Sequence, residues 1–193
     1  MNIDELSSII ESRRAIYPPV YTGEEIPDEQ IEILLQNANW APTHKKTEPW
    51  RFKVLKGRKL KDLSNYLATY YERNTPPDKF SNTRHKKMLN KTANCSHVIA
   101  ICMQRDPQKR IPEWEEIASV ACAVQNMWLS CTVMKIGCYW STPKAALEAR
   151  DFFNLKEGER CLGLFYIGVP KPMALEAPGV RQPVEEKVEW LTM

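Results

Sequence analysis

Glycine and histidine are scarce in this sequence, and the short motifs that mark several enzyme classes are missing. Seven glycines and three histidines occur among 193 residues. The chain has no phosphate-binding P-loop, no dinucleotide-binding glycine fingerprint and no nucleophile elbow. None of the histidines (His44, His85 and His97) has a cysteine or carboxylate at metal-ligand spacing. These absences argue against P-loop, Rossmann, serine-hydrolase and metal-dependent mechanisms, so catalysis would depend on a bound organic cofactor.

The cysteine and charge content predicts a single folded domain spanning residues 1–193 in a reducing compartment. Charged residues make up 26% and hydrophobic residues 43% of the chain, which is ordinary for a globular protein. The formal charge of +3 is too small to indicate nucleic-acid binding, although it allows a few cationic anchors for an anionic ligand. No CxxC pair and no signal-peptide core occur, so we expect buried free thiols and a cytoplasmic location. The six cysteines are Cys95, Cys102, Cys122, Cys131, Cys138 and Cys161.

The longest uncharged run, between Glu116 and Lys135, predicts a long helix that begins at Glu113. Apolar residues occupy both of its faces at three- and four-residue spacing, so we expect burial on nearly all sides. Polar residues interrupt the run, which favours a buried helix over a membrane span. Gly137 could end the helix in the left-handed conformation. Burial on both faces suggests that a second subunit covers part of this helix.

The remaining pattern predicts helices and strands in irregular alternation, which indicates an α+β fold. A capping box at Asn2 and Glu5 begins the first helix, and a basic helix is expected over Lys79–Lys91. Residues 170–193 are rich in proline and predict an extended C-terminal arm. Its last apolar residues could add an edge strand to a neighbouring subunit. The predicted core strands are Trp50–Leu55, His97–Met103, Cys138–Trp140 and Cys161–Val169.

Two clusters suggest a ligand site. Arg13 and Arg14 follow the first helix, where solvated arginines are common. Trp40 to Phe52 reads W-A-P-T-H-K-K-T-E-P-W-R-F, a rigid loop with donors and flat surfaces that suit a planar ring bearing a phosphate. Each cluster alone is a weak signal.

In this order, the two clusters resemble the FMN-dependent nitroreductase family, especially its short-chain, oxygen-insensitive NAD(P)H-dependent members. Ile136–Pro143 (I-G-C-Y-W-S-T-P) is similar to the family's segment after the central helix, and Gly163–Pro170 (G-L-F-Y-I-G-V-P) to its last core strand. The resemblance covers roughly residues 3–172. It implies a homodimer with a central, mainly antiparallel sheet flanked by helices. The long buried helix would form the dimer interface, with FMN bound between the subunits.

The resemblance also assigns a role in FMN binding to nine residues: Arg13, Arg14, Ala15, His44, Glu48, Tyr139, Trp140, Ser141 and Lys171. The two arginines would hold the phosphate and the ribityl chain, with the alanine backbone beside them. The histidine and the glutamate would lie at the isoalloxazine edge, across the subunit interface from the arginines. The three residues after Cys138 would contact the flavin, and the lysine would add charge near the phosphate. No side chain would be catalytic, because the flavin carries the chemistry.

The implied activity is hydride transfer from NAD(P)H through the flavin N5 to an electron acceptor such as a nitroaromatic or a quinone. Three departures from the family pattern occur. Ala15 stands where many relatives have serine, Ile16 and Tyr17 interrupt what is often a further Ser/Arg pattern, and Glu48 stands where glutamine or asparagine is usual. One alternative is a different flavin-dependent step on a dedicated metabolite. A second is a small RNA-binding module built on Lys79–Lys91 and the aromatic loop around Trp50. The main interpretation involves no metal, nucleic acid or membrane.

Overall fold

A four-stranded antiparallel sheet is the frame on which the chain is built. The computed structural model describes residues 2–175 and 179–192. The strands are β1 (Trp50–Lys56), β2 (His97–Gln104), β3 (Gly137–Ser141) and β4 (Glu159–Gly168), in the spatial order β1-β2-β4-β3. The two central strands, β2 and β4, are almost wholly buried, as their continuous apolar sequences predict.

Helices cover both faces of this sheet. They are α1 (Ile3–Ser12), α2 (Asp28–Ala38), α3 (Arg58–Asn74), α4 (Asn82–Leu89), α5 (Glu113–Val133) and α6 (Lys144–Leu147). One core joins α2 and α5 to one face of the sheet, and a second core joins α3 and α6 to the other face. The α+β fold with an antiparallel sheet flanked by helices is therefore confirmed. The basic helix is shorter than expected, because α4 covers only the middle of the predicted range.

The helix ends confirm one local prediction and correct another. The N–H of Glu5 donates to Asn2 Oδ1 at 2.9 Å, and the Glu5 carboxylate accepts from the Asn2 N–H at 2.8 Å, so the capping box is present. The left-handed residue after α5 is Lys135, with φ of 56°, and not Gly137. Gly137 has a different role, because a Cβ there would lie 2.7 Å from the ring of Tyr21.

The central helix α5 is buried on only one side within a single chain, so its predicted burial on nearly all sides is not complete here. Val120, Val124 and Met127 on the inner face are almost inaccessible to solvent. On the outer face, Trp114 and Val133 expose 67% and 61% of their surface. The described residues of the same chain therefore leave apolar side chains at both ends of α5 without full cover.

The C-terminal arm begins where β4 ends and makes little use of regular structure. Short 3-10 turns occur at Pro172–Leu175 and Val184–Lys187, and the described segment 179–192 contains no strand. Trp190 and Leu191 expose 85% and 89% of their surface. Among the described residues, no helix has both the length and the apolar character needed to cross a membrane.

Candidate active site

The arginine pair lies where α1 ends and the chain turns onto the sheet. Arg13 is the C-terminal cap of α1, and its guanidinium group lies 4.7 Å from the ring centroid of Trp128 on α5. The Trp128 indole N–H in turn donates to the Arg14 carbonyl oxygen at 2.8 Å. Both arginines are half-buried, so they are not freely solvated side chains.

Arg14 carries a buried donor that no described atom accepts. Its Nε donates to the Ser12 carbonyl oxygen at 3.1 Å, but its Nη1 is inaccessible and has no hydrogen-bond partner. The side chain lines a cavity of about 300 Å³, the α1–α5 cavity, which Lys135 also lines. A buried unsatisfied donor in a cationic cavity is a site where an anionic ligand oxygen would be stabilised.

The residues of β3 that were predicted to contact the flavin have their side chains on two different faces of the sheet. Side chains alternate along a strand, and Tyr139 accordingly packs with the α3/α6 core, whereas Trp140 packs with the α2/α5 core. The Trp140 indole N–H donates to the Leu162 carbonyl oxygen at 3.3 Å. Tyr139 and Ser141 therefore share a face on which the Trp140 side chain does not lie.

Tyr139 belongs to a cluster of three phenol rings, stacked on Tyr166 and tilted against Tyr17, with a cation beside it. Its ring centroid lies 4.5 Å from that of Tyr17 and 6.0 Å from that of Tyr166. Lys91 Nζ lies 5.6 Å and 5.3 Å from the centroids of Tyr139 and Tyr166. The Tyr166 hydroxyl is buried without a partner, and burial raises the pKa of this phenol, so it stays protonated.

A larger cavity adjoins this cluster between α3, α4 and the C-terminal end of β3. It has a volume of about 520 Å³, and we call it the tyrosine cavity. Ser141 and Tyr166 line it, so one predicted flavin residue and one member of the tyrosine cluster border the same space. Its cationic lining residues are Arg84, Lys87, Lys91 and Lys144. Aromatic walls and several cations suit a planar, electron-rich ligand.

The loop that carries His44 and Glu48 is held in a strained conformation. Lys45, Lys46 and Glu48 have φ of 50°, 54° and 42°, a region that non-glycine residues rarely occupy. Two contacts hold the loop from outside: His44 Nδ1 lies 2.6 Å from Glu115, and Lys45 Nζ donates to the carbonyl oxygen of residue 110 at 3.1 Å. Strained backbone held in this way is characteristic of functional loops.

A buried ion pair anchors the segment to which this loop is tied. Glu116 is inaccessible to solvent and forms an ion pair with Arg105. The Asp106 N–H donates to the second oxygen of Glu116 at 2.8 Å, and Arg105 Nη2 donates to the Ile111 carbonyl oxygen at 2.7 Å. Through these bonds, the start of α5 and the chain before it form one support for the loop.

Within one chain the two predicted halves of the site lie apart. The arginines contact α5 at Trp128, whereas His44 contacts it at Glu115. Thirteen helical residues separate these positions, which corresponds to about 20 Å along the helix axis. A single subunit therefore does not bring the His44–Glu48 loop to the arginines.

Two further predicted residues lie at the margin of the arginine half. Ala15 is half-buried, and the next residue, Ile16, donates its N–H to the Cys138 carbonyl oxygen at 2.9 Å. Lys171 is exposed, and its N–H donates to the Val20 carbonyl oxygen at 2.9 Å. Both residues are thus on the chain segments that flank the arginines.

His97 has a structural role, as its position at a strand start suggested. It begins β2, and its ring nitrogens contact the Ser96 hydroxyl at 2.9 Å and Asp28 at 3.1 Å. The Ser96 oxygen also accepts the Ile26 N–H at 2.7 Å. The hydrogen bonds from Lys56 and, to a smaller extent, from His97 keep the pKa of Asp28 below its usual value. Within the described parts of the chain, no group of acidic, histidine and cysteine side chains could hold a metal ion.

A family model for nitroreductases matches residues 10–169. The chain belongs to the nitroreductase family. YfhC of Bacillus subtilis (strain 168), a protein named as an NAD(P)H nitroreductase, is 27% identical over 187 residues, covering 94% of this chain and 92% of YfhC. YdjA of Escherichia coli (strain K12), with the same kind of name, is 26% identical over 186 residues, covering 94% of this chain and 96% of YdjA.

Solved structures agree with this fold. A nitroreductase-like family protein from Bacillus cereus matches with a TM-score of 0.78 and 24% identity, covering 99% of this chain and 98% of that one. The FMN-dependent nitroreductase NfnB from Mycobacterium smegmatis, solved with NADPH, matches with a TM-score of 0.77 and 15% identity. That match covers 99% of this chain and all of NfnB. The family and fold implied by the sequence motifs are therefore confirmed, and with them the expectation that the chain is an enzyme.

The structure adds residues that sequence reasoning missed. Lys91, Tyr17 and Tyr166 surround Tyr139, although they are far apart in the sequence. Nothing in their spacing indicates this cluster. Pairing of β3 with β4 sets Tyr166 opposite Tyr139, whereas Lys91 and Tyr17 come from segments outside the strands. Trp128 lies on a helix that was recognised from its pattern, but its contact with Arg13 depends on how α1 crosses α5.

Proposed function

We propose that this enzyme binds FMN, accepts hydride from NAD(P)H and passes it to an electron acceptor such as a nitroaromatic or a quinone. The buried, unpartnered guanidinium nitrogen of Arg14 is the observation that carries the proposal. FMN has a phosphate, which could accept from the unpaired Arg14 donor, and a planar ring, which could pack against the tyrosines. When bound, FMN would supply the two-electron chemistry.

The arginines would bind the phosphate end. Arg14 Nη1 has a free donor, and Lys135 adds a second positive charge to the α1–α5 cavity. Charge-assisted bonds from guanidinium to phosphate are among the stronger hydrogen bonds in proteins. Arg13 is partly committed to its stacking with Trp128, so it would contribute charge and fix the helix end. Lys171 and the Ala15 backbone would complete this end, as the family pattern implies.

The tyrosine cavity and its rim would bind the ring. Tyr139 and Ser141 lie on the same face of β3, and Tyr139 offers a flat surface beside Lys91. A lysine held near the ring would favour the negatively charged reduced state, because it adds positive charge where electron density increases. Trp140 would act from the opposite face by fixing the strand through its bond to Leu162.

A homodimer would complete each site. The exposed apolar face of α5 and the uncovered arm residues Trp190 and Leu191 both require a partner surface. Antiparallel pairing of two α5 helices would place the His44–Glu48 loop of one subunit next to the arginines of the other. The strained loop would then present Glu48 and the two lysines before it to the ring edge. The roughly 20 Å separation within one chain supports this arrangement.

Arg14→Ala provides the direct test. Losing a charge-assisted bond to phosphate should weaken FMN binding by about 10- to 100-fold, equivalent to roughly 1.5–3 kcal/mol. FMN affinity would be measured by flavin fluorescence quenching on protein stripped of its cofactor. Arg160→Ala is a matched control, because Arg160 pairs with Glu113 on the surface. Unchanged affinity in Arg14→Ala, or equal losses in both variants, would contradict the phosphate assignment.

The acceptor decides between this activity and the alternative of a flavin-dependent step on a dedicated metabolite. A general NAD(P)H nitroreductase should reduce several nitroaromatics and quinones with similar efficiency. A dedicated enzyme should leave them nearly unreacted, although NAD(P)H still reduces its flavin. Stopped-flow reduction by NADH and by NADPH, followed by reoxidation with a panel of acceptors, separates these outcomes.

A further inference from the structure

Two cysteines face each other across the centre of the sheet. In the β2–β4 register, Cys102 lies directly opposite Cys161. Directly opposed residues of antiparallel strands have Cα atoms about 4.5–5.5 Å apart. This separation falls within the range of about 4.4–6.8 Å that a disulfide spans. Both side chains enter the core formed with α3 and α6, so they point in the same direction.

A β-bulge shapes the surroundings of this pair. Ile101 lies opposite Gly163, whereas the next residue, Cys102, lies opposite Cys161, so Leu162 is the additional residue on β4. The Gly163 N–H donates to Cys161 Sγ at 3.4 Å. Gly163 adopts φ of 137°, a conformation that favours glycine. The bulge therefore aims a backbone donor at one of the two sulfur atoms.

The two thiols are chemically unequal. The neighbouring Cys102 thiol and the hydrogen bond from the Gly163 N–H lower the pKa of Cys161 despite burial. Proximity to Cys161 and burial raise the pKa of Cys102, whose thiol donates to the Ala100 carbonyl oxygen at 3.7 Å. A lower pKa increases the thiolate fraction, and the thiolate is the reactive form. Cys161 therefore has the character of an attacking sulfur, and Cys102 that of a resolving thiol.

We propose that Cys102 and Cys161 form a redox-responsive dithiol that hydrogen peroxide converts into a disulfide. The Cys161 thiolate attacks one peroxide oxygen and cleaves the O–O bond, which yields a sulfenic acid and hydroxide. The Cys102 sulfur then attacks the Cys161 sulfur and displaces hydroxide. Both hydroxides are protonated by the two thiol protons, so two thiols and one peroxide give one disulfide and two waters.

Oxidation of this pair depends on local opening of the sheet and has a consequence for its neighbours. Both cysteines are buried, but each is only two residues from a strand end, Gln104 or Glu159, so opening of these ends would admit peroxide. The bulge also packs against Trp140: a Cβ on Gly163 would lie 2.5 Å from the indole nitrogen. A disulfide that changes the bulge would therefore move Trp140, next to the proposed flavin residues Tyr139 and Ser141.

A second cysteine pair serves as an internal control. Cys131 and Cys138 both lie in the core formed with α2 and α5, but burial raises the pKa of Cys138 well above its usual value. Cys138 is therefore held as a neutral thiol, which reacts slowly with peroxide. Peroxide should distinguish the two pairs within the same protein molecule.

The test is peroxide treatment of the wild-type protein, followed by alkylation of free thiols in denaturant and peptide mass mapping. We expect a linked peptide containing Cys102 and Cys161, 2 Da lighter than the sum of its reduced parts and released by dithiothreitol. Cys131 and Cys138 should remain alkylated. The proposal is overturned if this linked peptide is absent, or if Cys131 and Cys138 are oxidised to the same extent.

Variants identify the attacking sulfur. In Cys102→Ser, Cys161 lacks a resolving partner, so we expect it to gain 32 Da as sulfinic acid. The control Cys95→Ser changes an equally buried cysteine and should leave disulfide formation at the wild-type rate. Unmodified Cys161 in Cys102→Ser, under conditions that oxidise the wild type, would overturn the assignment of Cys161. If Cys102→Ser does not fold, the wild-type peptide map alone decides the proposal.

Discussion

Replacing Arg105 with methionine removes the partner of a fully buried carboxylate. Glu116 has no accessible surface, whereas its partner Arg105 is one-fifth exposed. After the substitution, Glu116 keeps only the Asp106 N–H, at 2.8 Å. The carbonyl oxygen of Ile111 loses its donor at the same time. The variant therefore buries a charge with one hydrogen bond and leaves a backbone acceptor unpaired.

The expected cost is large for a protein of this size. Breaking a buried ion pair on one side costs about 3–5 kcal/mol, because the remaining charge stays desolvated. For a domain of 150–250 residues, each kcal/mol lowers Tm by about 2–4 °C. We therefore expect Tm to fall by about 6–20 °C. Part of this loss should be recovered at lower pH, because a protonated Glu116 no longer buries a charge.

Thermal unfolding followed by circular dichroism measures this effect, with Arg160→Met as the matched control. Arg160 on β4 pairs at 3.0 Å with Glu113, which lies on α5 as Glu116 does, but both groups are almost half exposed. An exposed pair contributes about 0–1 kcal/mol, so Tm should change by no more than about 4 °C. The double variant Arg105→Met/Glu116→Gln should be more stable than Arg105→Met, because the amide carries no charge. Equal Tm values for the Arg105 and Arg160 variants would refute the reasoning.

Three further results are expected. Gly168→Ala should destabilise the fold by about 2 kcal/mol or more, because its Cβ would lie 2.4 Å from the ring of Tyr21; an unchanged urea midpoint would contradict this. Glu48→Gln should raise the FMN midpoint potential by tens of millivolts, because a carboxylate near the ring opposes reduction. Spectroelectrochemical titration measures this potential, and an unchanged or lower value in the variant would mean that the Glu48 side chain faces away from the ring. The bond from Arg110 lowers the pKa of Asp106 to about 2, below its unfolded value, so this pair's stabilisation is present above pH 4 and is lost as pH falls toward 2. Asp106→Asn should therefore make Tm less dependent on pH in that window, and a parallel pH profile would disprove the link.

Short-range patterns in the sequence predicted the elements of this fold well. The capping box at Asn2 and Glu5 is present, and the uncharged run after Glu116 is a long helix. These signals succeed because the contacts that define them lie within a few residues. The prediction that Gly137 ends α5 in the left-handed conformation was wrong. That conformation occurs at Lys135, and Gly137 is a glycine for another reason, the close approach of the Tyr21 ring.

The site was predictable only in part. The motif order pointed to the arginines and to β3, but it did not indicate that β3–β4 pairing sets Tyr166 opposite Tyr139. It also did not indicate that Lys91, from the segment after α4, lies beside both rings. Alternation along β3 could have indicated that Trp140 faces away from Tyr139 and Ser141. The position of Glu48 relative to the ring stays a prediction, because it depends on how two subunits meet.

Tyr21 gives the fold an order of assembly. Its ring is wedged against Gly137 and Gly168, and its hydroxyl donates to the Ile16 carbonyl oxygen at 2.6 Å. The segment that follows the arginines is therefore fastened to the last strand of the sheet, about 150 residues later in the chain. During synthesis on the ribosome, residues 13 and 14 emerge well before β4, yet they cannot be fixed in place until β4 has been made and paired. A nascent chain that stops before β4 would contain both arginines but would lack the strand that holds their segment in position.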